Sequence, residues 1–375
     1  MIQPAPIPQT DPRAAYLAQK TEIDAAIMQV LESGQYILGR AVEQFEREFA
    51  ANLGLAHGIG CASGTDALEL ALRACGIGEG HLVFTVSHTA VASVAAIERA
   101  GAKPVLVDIE PGGFAMDPAA LDAALRDAPP GRPAAILPVH LYGEPADLAA
   151  IGEIARAQGL RVIEDCAQSH GAVYRRRPAG SFGDIACFSF YPTKNLGALG
   201  DAGIIATPDA ALAEAAREIR EYGWRERYVS ARSGINTRLD PIQAAVLSVK
   251  LPRLKADNER RQAIAARYDE GLSGLPIGRP RRRADTSHVF HQYVIRGKDR
   301  DRLREHLRAG SIGTGIHYPV PVHLHPAYRS RVALGPTGLR NSEKAAGEIL
   351  SLPIYPQLAD DAVDRVIAEI RKFFG

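Results

Sequence analysis

A lysine five residues after a serine, in a glycine-punctuated turn between two apolar runs, is the first stretch of this chain that could do chemistry. Lys194 follows IACFSFY (185–191) and Pro192, and it precedes Gly197, Gly200 and a second apolar run that begins at Gly203. Most lysines are solvated surface charges. One held between two buried strands is desolvated, which lowers its pKa, and a neutral amine can form a Schiff base with a carbonyl. The glycines let the backbone approach a ligand closely. A plain loop lysine competes with this reading on the turn alone.

Four other stretches place polar residues at strand ends or helix starts, and each has a structural alternative. CASGTDALELAL (61–72) passes from strand to helix through Gly64 and Thr65. A helix N-terminus with a hydroxyl binds phosphate, but capping by Ser63 or Thr65 accounts for the same residues. In EDCAQSH (164–170), Asp165 ends an apolar strand and Gln168 follows three residues later. Such a carboxylate can keep a pyridine nitrogen protonated, and the amide can donate to a phenolic oxygen on the same ring. An Asp capping the next segment is equally common. His88, between Ser87 and Thr89, can stack on a flat ring or serve as a structural histidine. Asn236 and Arg238 precede a helix that starts near residue 239, where Arg238 either binds a carboxylate or forms a salt bridge.

The elements that position these residues alternate. HGIGC (57–61), LVFTV (82–86), PVLVDI (104–109), AAILPVH (134–140) and RVIEDC (161–166) are strand-like, with helical periodicity between them. This pattern implies an α/β fold, a mostly parallel sheet with helices on both faces and ligands at the carboxyl ends of its strands. A proline-rich arm (4–12) and helical patterns at 14–33 and 42–53 come first. Helices are expected at 211–222 and 240–254, the second continued by a charged helical run to 269. A Pro/Arg-rich connector (272–287) then leads to a strand (288–296), a helix (299–309), a His/Pro-rich loop and a closing helix (359–374). The chain is therefore expected to divide into a large α/β domain over 1–250 and a smaller α+β domain over 251–375.

Composition narrows the partners. Lys+Arg 44 against Asp+Glu 43 leaves a charge of +1, so no net field favours nucleic acid or an anionic membrane. The arginine clusters at 175–177 and 279–283 lack interleaved aromatics and read as solvated arms. No apolar run approaches the roughly 20 residues of a membrane span. Prolines stand where a signal peptide has its apolar core, so a cytoplasmic location is expected. Cys61, Cys75, Cys166 and Cys187 show no CxxC spacing, which suggests reduced thiols and no metal site.

Phosphate turn, strand-end Asp and Ser-x4-Lys turn occur in that order along the chain. SGTDAL (63–68), EDCAQSHGA (164–172), GSFGDIACFSFYPTKNLGALGDAG (180–203) and NTRLDPIQAA (236–245) resemble signatures of the DegT/DnrJ family of sugar aminotransferases. HVFHQYVIR (288–296) and IHYPVPVHLHPAY (316–328) resemble the family's C-terminal domain. The resemblance runs from about residue 34 to the end. It implies the fold-type I architecture of pyridoxal 5'-phosphate (PLP)-dependent transferases. By position, it implies that Lys194 joins PLP as an imine and then shuttles a proton. Asp165 would pair with the pyridinium nitrogen and Gln168 would contact the phenolic oxygen. Gly64, Thr65 and Ser189 would hold the phosphate, joined by Asn236 from the neighbouring subunit of a homodimer with shared active sites. His317, Tyr318 and His323 would lie on the sugar side.

The departures from the family pattern are local. Ala90 stands where an aromatic commonly covers the cofactor, so either His88 takes over the stacking or the ring is covered less well. His81 and Val86 replace an Asp and a Pro, and Pro241 stands where Glu is common. The resemblance implies transfer of an amino group from L-glutamate, which becomes 2-oxoglutarate, to a nucleotide-linked keto-deoxysugar. EYGWRERYVS (221–230), with the only tryptophan, resembles the subgroup acting on 3-keto-6-deoxyhexoses and points to a dTDP-linked substrate. A 4-keto sugar or a cyclitol ketone is an alternative, because a fold does not fix a substrate. A regulatory protein on the same fold is another.

Overall fold

Short apolar runs, several closed by glycine or a polar strand end, build one large sheet in a computed structural model that describes residues 5–375. Its eight strands lie in the order His57–Cys61, Gly203–Thr207, Ile185–Ser189, Arg161–Asp165, Arg132–Leu137, His81–Val86, Lys103–Val107 and Ala333–Leu334. Gly203–Thr207 runs antiparallel to both neighbours. The other pairings are parallel. The α/β expectation of a mostly parallel sheet covered on both faces is met.

Side-chain alternation assigns each strand residue to one of two cores. Along Ile185–Ser189, Ile185 and Cys187 join the core packed on helix Gly64–Ala74, while Ala186 and Phe188 join the opposite one. In that second core, Phe45 and Phe49 of helix Arg40–Leu53 meet Phe188 and Phe190 edge to face, with centroids 4.9–5.2 Å apart. Helix Pro241–Lys250 packs on the same side through Ala244 and Leu247. Phe84, Ile136 and Ile163, from three neighbouring strands, lie in the first core.

A further core gathers Ile264 and Tyr268 of helix Leu254–Gly271, strands Tyr293–Arg296 and Ile349–Leu352, and helices Arg300–Ala309 and Asp360–Phe374. The two strands pair antiparallel. This C-terminal unit is fastened to the large sheet. Ala333–Leu334 extends the sheet edge. Asp108, just past Lys103–Val107, accepts from the Asn341 and Ser342 N–H groups at 2.8 and 2.9 Å and from the Ser342 hydroxyl at 2.8 Å. A carboxylate in that place caps helix Arg340–Glu348 from another segment.

Two local expectations change. The strand expected over 288–296 is regular only at Tyr293–Arg296. Residues before it turn aside to bond the 142–143 backbone, with Phe290 at φ 44°. The first helical stretch divides into Pro12–Leu17 and Lys20–Ser33. Of the proline-rich arm, position 4 lies outside the described residues, and Ile7 bridges to Ile312. No helix among the described residues is long and apolar enough to cross a membrane.

Candidate active site

Strand register brings the phosphate turn and the lysine turn together. Cys61 pairs with Gly203, and Gly203 pairs with Ser189 on its other side. Ser63 caps helix Gly64–Ala74, its hydroxyl accepting from the Asp66 N–H at 3.1 Å. The first-turn N–H groups of Gly64 and Thr65 have no intrahelical acceptor and carry the positive end of the helix dipole. A Cβ on Gly64 would lie 2.4 Å from the Ser189 Cβ, and one on Gly203 would lie 2.2 Å from the Ser63 carbonyl oxygen. The cradle closes only around glycine at both positions. Two N–H groups and the Ser189 hydroxyl gathered there suit an anion.

Glu164 and Asp165 end their strand pointing to opposite faces, and their environments differ accordingly. Glu164 is fully buried. It accepts from His140 Nε2 at 3.0 Å and from the N–H groups of Gly180, Phe182 and Gly183 at 2.7–2.8 Å. Burial alone would raise its pKa, but these donors hold it below the usual carboxylate value. His140 Nδ1 accepts from the Ala146 N–H at 3.0 Å, so the ring proton sits on Nε2 and goes to Glu164. His140, Glu164 and Cys166 cluster closely enough to suggest a metal site. The protons and lone pairs of His140 and Glu164 are already committed to these hydrogen bonds, so the pair supports the strand end.

Asp165 is supported more sparsely. Its Oδ2 accepts from the Ser93 hydroxyl at 2.8 Å and its Oδ1 from the Ala167 N–H at 3.1 Å. Burial raises its pKa despite these bonds and the field of Lys194. A buried carboxylate held in that way is stabilised by a cationic N–H placed against it. A protonated pyridine nitrogen is such a group.

Lys194 begins where the Ile185–Ser189 strand turns, its N–H donating to the Tyr191 carbonyl at 2.8 Å. Desolvation lowers its pKa to about 8, opposed only by the Asp165 charge. His170, His291 and His317 all feel the Lys194 charge, and burial holds all three neutral. A pKa near 8 leaves about one amine in eleven neutral at pH 7, against about one in three thousand for a solvated lysine. Competitive acylation across a pH series, read at Lys194 by mass spectrometry, should therefore titrate with a midpoint near pH 8. A midpoint above about 10 would mean that the amine is solvated.

Gln168 joins this group. Its Oε1 accepts from the Tyr142 N–H at 2.7 Å, and its Nε2 donates to Tyr318 Oη at 3.3 Å, leaving a second amide proton free. Tyr318 feels the Asp165 charge, and burial pushes its phenol to about 12. His317 Nδ1 meets the Ser351 hydroxyl at 2.9 Å. Anion cradle, strand-end carboxylate, desolvated amine and amide donor thus match the phosphate, ring nitrogen, aldehyde and phenolic oxygen of PLP. The residues present fit that cofactor.

Two expected residues fall elsewhere, and a third lies on the surface of the single chain. His88 is fully buried, lies along Phe114 at 5.8 Å and meets Tyr142 Oη through Nε2 at 2.9 Å. No face of its ring is open to a ligand, which overturns the stacking expectation. His323 binds the Ser87 hydroxyl through Nδ1 at 2.7 Å and Glu343 through Nε2 at 3.1 Å. The two nitrogens fasten its loop to a strand end and to helix Arg340–Glu348, so none is left for a sugar. Asn236 is exposed, one residue before Thr237, whose hydroxyl accepts from the Ala62 N–H at 3.0 Å. The sequence reading overlooked Ser93, Tyr142 and His291. Ser93 lies one helical turn from Thr89, but nothing local marks its Asp165 partner, and His291 sits within an expected strand.

The model of the DegT/DnrJ/EryC1/StrS aminotransferase family matches residues 18–371. The dTDP-3-amino-3,4,6-trideoxy-alpha-D-glucose transaminase of Streptomyces venezuelae is 47% identical over 369 residues, covering 98% of this chain and 96% of that one. The UDP-N-acetyl-3-dehydro-alpha-D-glucosamine 3-aminotransferase of Acidithiobacillus ferrooxidans is 42% identical over 372 residues, 99% of each chain. The crystal structure of S. venezuelae DesV in complex with a ketimine intermediate superposes with a TM-score of 0.94 at 46% identity, over 99% of both chains. With fold, site and sequence in agreement over nearly its whole length, the chain belongs to the DegT/DnrJ/EryC1/StrS aminotransferase family.

Proposed function

We propose that this PLP-dependent nucleotide-sugar aminotransferase moves an amino group from L-glutamate to the C3 ketone of a dTDP-linked keto-deoxyhexose. The observation that carries the reading is a desolvated Lys194 sharing one buried strand-end site with Asp165. The choice of C3 is supported by two relatives whose names both place nitrogen there, one on a dTDP sugar and one on a UDP sugar. When bound, the cofactor supplies an aldehyde that accepts the amino group and a ring that spreads negative charge.

The chain's own residues divide the remaining work. Gly64 and Thr65 N–H groups and the Ser189 hydroxyl bind the phosphate. Asp165 holds positive charge at the ring nitrogen, and Gln168 Nε2 donates to the phenolic oxygen. Lys194 Nζ, close to half-neutral at pH 8, both takes and returns the migrating proton. His317 and Tyr318 border the sugar side. L-glutamate leaves as 2-oxoglutarate, so amino groups and electrons balance between the two half-reactions.

The assembly is a homodimer in which Asn236 completes the neighbouring subunit's phosphate site. Its exposure in the single chain supports this, as do the exposed apolar residues Tyr191 and Leu199 on either side of Lys194. Four unpaired thiols suit a reducing cytoplasm. Mixing inactive Lys194→Ala chains with inactive Asn236→Ala chains should restore activity, because a hybrid dimer contains one intact site. Failure of every mixture, with hybrids verified by tag purification, would remove Asn236 from the shared site.

The substrate is tested with L-glutamate and a panel of dTDP- and UDP-linked 3-keto and 4-keto sugars, following 2-oxoglutarate release. Turnover highest with the dTDP-linked 3-keto-6-deoxyhexose is expected. Preference for a 4-keto sugar would overturn the assignment of the ketone, and preference for UDP would overturn that of the nucleotide.

A further inference from the structure

Tyr142 joins three segments that the site needs in register. It occupies the turn Leu141–Gly143 at φ 60°, in the left-handed region, and its side chain is buried. Its N–H donates to Gln168 Oε1 at 2.7 Å. Its hydroxyl hydrogen-bonds both the His317 carbonyl and His88 Nε2. A carbonyl can only accept, so the hydroxyl proton goes to His317 and the hydroxyl oxygen accepts from His88. His88 is therefore the Nε2–H tautomer, and its Nδ1 has no partner among the described residues.

The connections close on themselves. From the Tyr142 N–H the path runs through the Gln168 amide to Tyr318 Oη, along the chain to the His317 carbonyl, and back to the Tyr142 hydroxyl. Phe114 packs against this loop, edge-on to Tyr142 at 4.8 Å and along His88 at 5.8 Å. Side chains from three distant parts of the sequence are thus fixed by one tyrosine.

We propose that Tyr142 is a positioning residue for the transamination, holding His317 and Tyr318 over the site through its hydroxyl and orienting the Gln168 amide through its N–H. The proposal rests on the placement of His317 and Tyr318 on the sugar side and of Gln168 on the cofactor side. The two limbs can be separated. Phenylalanine at this position removes the hydroxyl and keeps the N–H. His88 is the hydroxyl's donor, and glutamine there retains an N–H near the position of Nε2 whereas leucine does not.

The test compares Tyr142→Phe, His88→Leu and His88→Gln in the PLP-loaded protein. Tyr142→Phe should raise KM for the keto sugar about five- to thirtyfold, the effect of leaving a buried polar group unpaired. The half-reaction with L-glutamate alone should stay within about twofold, because Gln168 keeps its backbone donor. His88→Leu should shift KM in the same direction, and His88→Gln should return it close to the unsubstituted value. Hydrogen–deuterium exchange over residues 316–320, which needs no sugar, should be faster in Tyr142→Phe and His88→Leu but not in His88→Gln. The proposal is overturned by unchanged exchange in Tyr142→Phe, by equal losses in both half-reactions, or by His88→Gln behaving as His88→Leu. If the unsubstituted enzyme aminates no keto sugar, the sugar-side reading fails, and the exchange data still decide whether Tyr142 holds this segment.

Discussion

Lys194→Ala is expected to lose turnover by at least about a thousandfold, within the range spanned by loss of a positioned proton-transfer group. Two functions disappear together. The side chain is an amine whose desolvation, opposed by Asp165, leaves a usable neutral fraction near pH 8. In the proposed reaction it is also the group that takes and returns a proton at the reacting carbon. The phosphate cradle does not depend on Lys194, since Gly64, Thr65 and Ser189 belong to other segments. The variant should therefore still take up PLP, non-covalently, and lose the visible absorption of the lysine-linked form. Turnover within tenfold of the unsubstituted enzyme would show that another base does the work.

Asp165→Asn carries the second largest expected effect. The substitution keeps the shape of the side chain and an oxygen able to accept from Ser93 or Ala167, and it removes the charge. Without that charge the ring nitrogen is no longer held protonated, and negative charge spreads poorly into the ring. Loss of one preorganised electrostatic partner costs about 10²–10³-fold in turnover. Cofactor binding should fall much less, because phosphate contacts anchor it at the other end. Burial already raises the Asp165 pKa, so desolvation alone does not favour the charged form, which depends on its partners. A loss under about fivefold would point to a different partner for the ring nitrogen.

The residues that carry these effects were legible because each lies where an apolar run stops. Asp165 ends Arg161–Asp165, Ser189 ends Ile185–Ser189, and Gly64 follows His57–Cys61, so local pattern placed all three at the strand ends where ligands bind. Lys194 was legible from its glycine-rich turn between two such runs. His88 and His323 were misplaced for one physical reason. A histidine at a strand end or in a loop suits a ligand and a hydrogen-bonded joint equally, and the deciding partners, Tyr142, Ser87 and Glu343, lie in other segments, 20 to 236 residues away. Tyr142 was illegible because its φ of 60° and its bond to His317 arise only in the folded chain. The strand expected at 288–296 failed because its first half gives its backbone to the 142–143 turn.

The central claim is that PLP is carried on Lys194, and borohydride reduction with peptide mapping tests it most directly. Treating the purified protein with borohydride should bleach the visible band and fix a phosphopyridoxyl group on the peptide containing Lys194. No other lysine should carry it in stoichiometric amount. Finding the label on a different lysine, or finding none on a protein that still turns over, would contradict the account.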